Sequence, residues 1–311
     1  MSADDRVLLR VRNLTKVYRG SHRFLSAGAD DFKAVDDVSF DIAPSQTLGL
    51  VGESGSGKST VGRAVTMLNP PTAGSVAFEG VDLTACKPER LRLLRKRFQI
   101  VFQDPYASLN PRMRVGDFVA EPLLIHDTVR NQDARNEYVA ECFRKVGLDP
   151  AFMSRYPHQF SGGQRQRICI ARAIALKPSF IVADEPISAL DVSIQAQVVN
   201  LLQDLQQELS LTYLFISHDL SMVRYLCHRV AVLYRGRIVE IADADELFDN
   251  PLHPYTRTLL SAIPVPDPVA ERGRRRLLMD PATDYSEPDS TLVEVSPGHQ
   301  LAAARWRSMA A

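Results

Sequence analysis

The densest chemistry in this chain is the run Gly52, Glu53, Ser54, Gly55, Ser56, Gly57, Lys58, Ser59, Thr60. It follows the apolar stretch Thr47–Val51 and precedes VGRAVTML, a helical pattern. Glycines at 52, 55 and 57 let the backbone curl until successive N–H groups face one centre, and the following helix adds its positive N-terminal end. Lys58 supplies a point charge for the outer phosphates of a nucleotide. Ser59 offers a hydroxyl to Mg²⁺, and Thr60 a further hydroxyl for a phosphate oxygen. A plain glycine-rich turn before a helix would share the glycines but not the Lys-Ser pair in its strand–loop–helix setting.

A second group sits in FIVADEP, Phe180–Pro186. There a buried strand ends in Asp184, a carboxylate suited to orienting Mg²⁺ or its waters, and Glu185 follows as a candidate general base. Alone, the pair reads equally well as an acidic helix cap. Beside a phosphate-binding loop it points to phosphoanhydride hydrolysis. His218, in FISHDLS, stands just past another strand end, where an imidazole can donate to a γ-phosphate; an isolated histidine there is more often structural. Finally, FSGGQRQRICIARAIA, Phe160–Ala175, opens a helix with Ser-Gly-Gly, a start suited both to ordinary capping and to an anion.

These groups need a frame. Thr47–Val51, Phe180–Ala183 and Tyr213–Ser217 read as buried parallel strands, each followed by polar or glycine-rich residues and a helical pattern. That alternation predicts an α/β fold with a mostly parallel sheet. Hairpins are expected at Ser75–Leu83, turning near Glu79-Gly80, and at Val230–Ile241, turning at Arg235-Gly236, together forming a small antiparallel β layer. From Asp104 the text carries NPR, EP and DP breaks and the helical stretch Asp133–Lys145, which reads as an inserted helical subdomain over about 104–172. The domain that carries the phosphate loop is expected to span 1–262 and a C-terminal appendix 263–311, the latter with an Arg274–Arg276 run expected to lie in solvent.

Bulk properties narrow the class. Lys+Arg and Asp+Glu both number 37, so the net charge is zero and the basic excess of a general nucleic-acid binder is missing. No apolar run approaches the roughly 20 residues that span a bilayer, and the start is polar, so the chain is expected to lie in the cytoplasm and reach a membrane only through other subunits. Cys86, Cys142, Cys169 and Cys227 stand far apart and lack metal-ligand spacing. The basic run Arg90–Gln99 reads as a solvated helix face, and Arg165, Arg167 and Arg172 as partners of carboxylates or of an interface.

The glycine pair with its Gln and Arg residues, just upstream of the Asp-Glu strand, resembles the signature of the ATP-binding cassette (ABC) superfamily. The resemblance runs from about Leu8 to Ile263 and implies a P-loop ATPase fold. It further implies that Ser161, Gly162, Gly163 and Gln164 close over the γ-phosphate of ATP held by a second subunit, and that Gln103 joins the Mg²⁺/water site to the helical subdomain. Ser188 and Asp191, ends of SALD, resemble the loop that crosses the dimer interface. Tyr18 sits where an aromatic stacks on adenine, with Phe24 and Phe32 as alternatives. DPYASLNPRMRVGDFVAEPL, NPLHPYTRTLLSAIPVPDP and LVEVSPGHQ are similar to the oligopeptide/dipeptide/nickel importer group. Membership implies two membrane-spanning permease subunits, a second and often different ATPase subunit, an external solute-binding protein, and a peripheral position on the cytoplasmic face of the inner membrane. The group's members often hold an iron–sulfur cluster in the appendix; with no cysteine after Cys227, none is expected here, nor the usual fold between Arg274 and Thr291. Peptide is the expected solute, with nickel, glutathione and opine- or sugar-like solutes as alternatives. Two other readings are a soluble ABC ATPase of DNA repair or translation, which would carry two cassettes or a coiled coil, and a degenerate cassette, which would lack Glu185 or His218.

Overall fold

A computed structural model of the chain describes residues 7–19, 31–263, 277 and 291–310. In chain order the elements are β1 (Leu9–Tyr18), β2 (Phe32–Ile42), β3 (Thr47–Val51), α1 (Lys58–Val65), β4 (Ala73–Phe78), β5 (Val81–Asp82), α2 (Pro88–Leu94), β6 (Phe98–Val101), α3 (Pro105–Ser108), α4 (Val115–Ile125), α5 (Gln132–Lys145) and α6 (Gly162–Ile174). Then follow β7 (Phe180–Asp184), α7 (Val192–Leu209), β8 (Thr212–Ile216), α8 (Leu220–Leu226), β9 (Arg229–Tyr234), β10 (Arg237–Asp243), α9 (Ala244–Asp249), α10 (Pro254–Ser261), β11 (Leu292–Ser296), β12 (His299–Ala302) and α11 (Ala303–Ala310). The described residues fall into two compact units. One is drawn from Met1–Ile42, Thr47–Thr84 and Ser217–Ala311, the other from Ala43–Gln46 and Ala85–Ile216.

The first unit carries an antiparallel layer in the order β2-β1-β4-β5. Leu9, Val11 and Leu14 of β1 and Val35, Val38 and Ile42 of β2 point into its core. In the same unit β3 pairs in parallel with β9, and β9 turns back through β10 to the β12–β11 hairpin. All five residues of β3 are buried. Each fully buried Leu or Val side chain contributes about 1.5–3 kcal/mol relative to exposure, so the strand that launches the phosphate loop is firmly seated. The hairpin expected at Ser75–Leu83 belongs to the antiparallel layer, as anticipated. The one at Val230–Ile241 does not: its first strand lies parallel beside β3, and VAVLY is buried throughout as a sheet interior requires.

The second unit holds the parallel strands β6-β7-β8 in register Phe98↔Phe180 and Phe180↔Thr212. Strands β7 and β8 are wholly buried, which explains their unbroken apolar text. Helices α4, α5 and α6 pack on one another, and α6 also touches β6 and α7. Helix α2 has no buried residue, as its basic sequence suggested, but the solvated run ends there because Phe98 and Gln99 already belong to β6. No described helix is long and apolar enough to cross a membrane.

Candidate nucleotide site

In the first unit the glycine-rich loop joins β3 to α1. Gly52 has φ +149°, and a Cβ there would stand 2.1 Å from the Leu233 carbonyl oxygen. Gly57, the N-cap of α1, has φ +106°, and its Cβ would stand 2.4 Å from the Ala34 carbonyl oxygen. The loop is therefore pressed between backbone of β2 and β9, where no side chain fits. The Gly236 N–H donates to the Ser56 carbonyl at 2.8 Å, and Asp36 N–H donates to the Gly236 carbonyl at 2.8 Å, closing the clamp. No side chain caps α1, so its first-turn N–H groups remain directed at the loop's concavity. Ser56 Oγ is buried with no hydrogen-bond partner, the mark of a polar atom shaped for a ligand. Lys58 is buried, its ammonium donating to the Gly52 and Glu53 carbonyls, both at 2.8 Å. Ser59 and Thr60 follow in the first turn of α1.

His218 belongs to the same unit. The Ser217 N–H donates to the Leu50 carbonyl of β3 at 3.3 Å, which holds the residue before it, and Asp219 caps α8 through the Ser221 and Met222 N–H groups. His218 is exposed and lines a hollow of about 370 Å³ with Asp219, Ser221, Leu259 and Ile263. Tyr18 and Phe32 are direct cross-strand partners at one end of the β1–β2 pair, so these two alternatives stand at one place in the fold. Tyr18 accepts from Asn69 Nδ2 at 2.8 Å, whereas Phe32 is the more exposed, 62% against 38%. Phe24 and the Arg274–Arg276 run lie outside the described residues.

In the second unit β7 delivers Asp184, buried, followed by Glu185 at φ +48°, a left-handed turn held by the Glu185 N–H donating to the Ile216 carbonyl at 3.0 Å. Gln103 Nε2 donates to Glu185 Oε2 at 2.9 Å, which fixes the carboxylate and turns the amide oxygen of Gln103 free to accept elsewhere. Ser188 Oγ donates to the Glu185 carbonyl at 3.1 Å, so the start of SALD braces the same turn. Asp191, at the N-cap of α7, is exposed and makes no capping bond.

The signature residues stand at the start of α6. Ser161 Oγ accepts from the Gln164 N–H at 3.3 Å and Gln164 Oε1 accepts from the Ser161 N–H at 3.1 Å, a reciprocal capping box. A Cβ on Gly162 would touch Leu190 Cδ2 at 3.4 Å. A Cβ on Gly163 would meet Ile194 Cγ2 at 2.4 Å, which ties this helix start to the first turn of α7. Of the three arginines behind it, Arg172 pairs with a carboxylate, Glu121 at 2.8 Å. Arg165 instead donates to the Pro157 carbonyl at 2.7 Å and stacks its guanidinium 4.0 Å from the Tyr106 ring centroid, and Arg167 donates to the Val146 carbonyl at 2.8 Å. Sequence reasoning did not single out Tyr106, Ile194 or Tyr255. The last accepts a hydrogen bond from the Glu53 N–H of the phosphate loop at 3.0 Å. The four cysteines are free thiols, and burial pushes Cys142 and Cys169 up to about 12.

Comparison with known proteins places these motifs in context. The ABC transporter family model matches residues 35–188, and the model for the oligopeptide/dipeptide transporter C-terminal region matches residues 239–288. The oligopeptide transport ATP-binding protein OppF of Bacillus subtilis is 57% identical over 270 residues, 86% of this chain and 88% of that protein. The dipeptide transport ATP-binding protein DppF of Lactococcus lactis is 53% identical, covering 86% of each chain. Among solved structures, a dimeric ATP-binding cassette in a post-hydrolysis state bound to ADP and Pi superposes with a TM-score of 0.68 at 28% identity, covering 76% of this chain and 98% of that one.

Proposed function

Since the chain belongs to the ABC transporter ATPase family, within its oligopeptide and dipeptide ATP-binding branch, we propose that it is the ATP-hydrolysing subunit that powers uptake of peptides through a membrane permease. The observation that carries the catalytic half is the 2.9 Å bond between Gln103 and Glu185. It holds a carboxylate ready to receive a proton from water, which a degenerate cassette would have no reason to keep.

The P-loop N–H groups and Lys58 bind and orient the β- and γ-phosphates, and Tyr18, or Phe32 paired across from it, stacks on the adenine. Ser59, Asp184 and the Gln103 amide oxygen are hard oxygen donors, of the kind that would hold Mg²⁺. When bound, that ion neutralises charge on the phosphate oxygens. Glu185 orients the attacking water for in-line displacement and takes its proton, while Lys58 and His218 donate to the charge on the transferring group. Ser161, Gly162, Gly163 and Gln164 serve the nucleotide of a second, related ATPase subunit, with Ser188 and Asp191 at that interface. The dimeric cassette with ADP and Pi supports this arrangement. The dimer couples to two membrane-spanning permease subunits, supplied with solute by an external binding protein, and sits at the cytoplasmic membrane face. The names of the transport relatives favour peptide over nickel, glutathione or sugar-like solutes, and transport over DNA repair. With no cysteine after Cys227, an iron–sulfur cluster in the C-terminal region is not part of the reading.

Affinity purification of the tagged chain from membranes in mild detergent tests the assembly. Recovery of two permease subunits and a second ATPase is expected. Recovery with ribosomes or DNA would overturn it.

A further inference from the structure

We infer that Tyr255 is a positioning residue for the phosphate loop, through which the C-terminal segment sets the affinity for nucleotide. The inference rests on the nucleotide-binding reading of that loop. Tyr255 lies in the first turn of α10, outside every nucleotide motif, yet its hydroxyl oxygen accepts the Glu53 N–H at 3.0 Å. The carbonyl of the same Glu53 accepts the Lys58 ammonium at 2.8 Å. One residue is thus held from both sides: Tyr255 orients its peptide N–H, and its carbonyl sets where the phosphate-binding lysine waits. A backbone N–H of a ligand-binding loop spent on a distant side chain is a fixed post rather than a phosphate contact.

Tyr255 is itself held from two directions. Its ring packs on Tyr234 with centroids 4.4 Å apart. Tyr234 ends β9 just before Gly236, whose N–H holds the Ser56 carbonyl, so the loop's second brace shares this root. The Tyr255 N–H donates to His253 Nδ1 at 3.1 Å. The backbone around His253 is pinned by Glu240 of β10, fully buried, whose carboxylate accepts the Leu252 N–H at 2.8 Å, the His253 N–H at 3.1 Å and His299 Nε2 at 2.8 Å. His299 opens β12 and is also fully buried. A continuous set of contacts therefore runs from the C-terminal hairpin, through Glu240, His253 and Tyr255, to the phosphate loop.

The test compares Tyr255→Phe, which keeps the ring and removes the acceptor, with Thr256→Val, which alters the neighbouring buried hydroxyl that has no hydrogen-bond partner. Binding of Mg-ATP to the full chain is measured at equilibrium, with ATPase kinetics in the assembled complex. Removing one such bond is expected to raise Kd and KM about fivefold to tenfold in Tyr255→Phe, with kcat at saturating ATP within about twofold and no change in Thr256→Val. Equal Kd in folded Tyr255→Phe and wild type, or equal losses in both variants, overturns the inference. Hydrogen exchange at the Glu53 amide of the wild type gives a readout even if the variant does not fold: slow exchange is expected, and free exchange also overturns it. Failure of the wild type to bind ATP would instead remove the nucleotide reading on which the inference stands.

Discussion

Replacing Gly57 by alanine isolates the loop geometry on which nucleotide binding depends. At φ +106° an L-residue pays about 1–2 kcal/mol for the left-handed backbone alone. The added Cβ would stand 2.4 Å from the Ala34 carbonyl oxygen, which belongs to a paired strand and cannot swing away as a side chain would. Overpacking of this kind costs a further ~1–3 kcal/mol. The sum, roughly 2–5 kcal/mol, corresponds to a loss of about 30-fold to several thousandfold in affinity if the strain falls on the nucleotide-competent loop. Gly55→Ala is the internal reference. Its φ is +83°, but its Cβ would meet nothing within 4 Å, so only the conformational cost applies, about fivefold to 30-fold. A fluorescent ATP analogue titrated into each purified variant gives both constants, with urea unfolding run in parallel to show that the chain remains folded. Equal affinities for the two variants would refute the argument that backbone contact with β2, rather than glycine flexibility in general, shapes this loop.

Further outcomes follow from other contacts. Gln103→Ala removes one hydrogen bond to the Glu185 carboxylate and is expected to lower kcat about tenfold with KM little changed, a split read from steady-state ATPase kinetics. Gly163→Ala drives a methyl into Ile194 and should lower the unfolding midpoint by an amount equivalent to about 1–3 kcal/mol, with partial recovery in Gly163→Ala/Ile194→Ala; no recovery would show that the clash is not the cause. Burial lowers His253 to about 4, so between that value and its ordinary 6.5 the unfolded chain binds a proton that the folded chain does not. His253 therefore contributes stability that is full above about pH 6.5 and is lost as pH falls toward 4. His299, raised by its bond to Glu240, acts in the opposite sense, its contribution being full below 6.5 and lost as pH rises. His253→Asn, which can keep the acceptor for the Tyr255 N–H, should flatten the acid limb of denaturant stability between pH 4 and 6.5 while leaving the alkaline limb to His299.

Much of the site was legible because its chemistry is local. A phosphate loop needs its glycines, lysine and serine within nine positions, and an acidic strand end announces itself in FIVADEP. The buried strands were equally plain, since a strand covered on both faces must be apolar throughout. Strands β1 and β2 are not legible in the sequence, because LRVRNLTKVY and FKAVDDVSFDI bury only part of their residues and are interrupted by register shifts, which blur the two-residue period. The hairpin after Val230 lies beside β3 rather than in the antiparallel layer, since a turn signal states that two strands meet but not which sheet receives them. Tyr255 escaped notice for the same reason. NPLHPYT carried a resemblance, but its contact with Glu53 crosses 202 positions, and no local pattern encodes a bond of that separation.

The central claim is that hydrolysis at this chain's own site, with Glu185 as base, drives peptide uptake. The direct measurement is uptake of a labelled peptide by proteoliposomes holding the complete transporter with either wild-type chain or Glu185→Gln, with bound ATP quantified in both. The account predicts ATP-dependent uptake by the wild type, and a variant that retains ATP but loses uptake and hydrolysis by a factor of about 10²–10⁴. Undiminished hydrolysis and uptake with Glu185→Gln would contradict it.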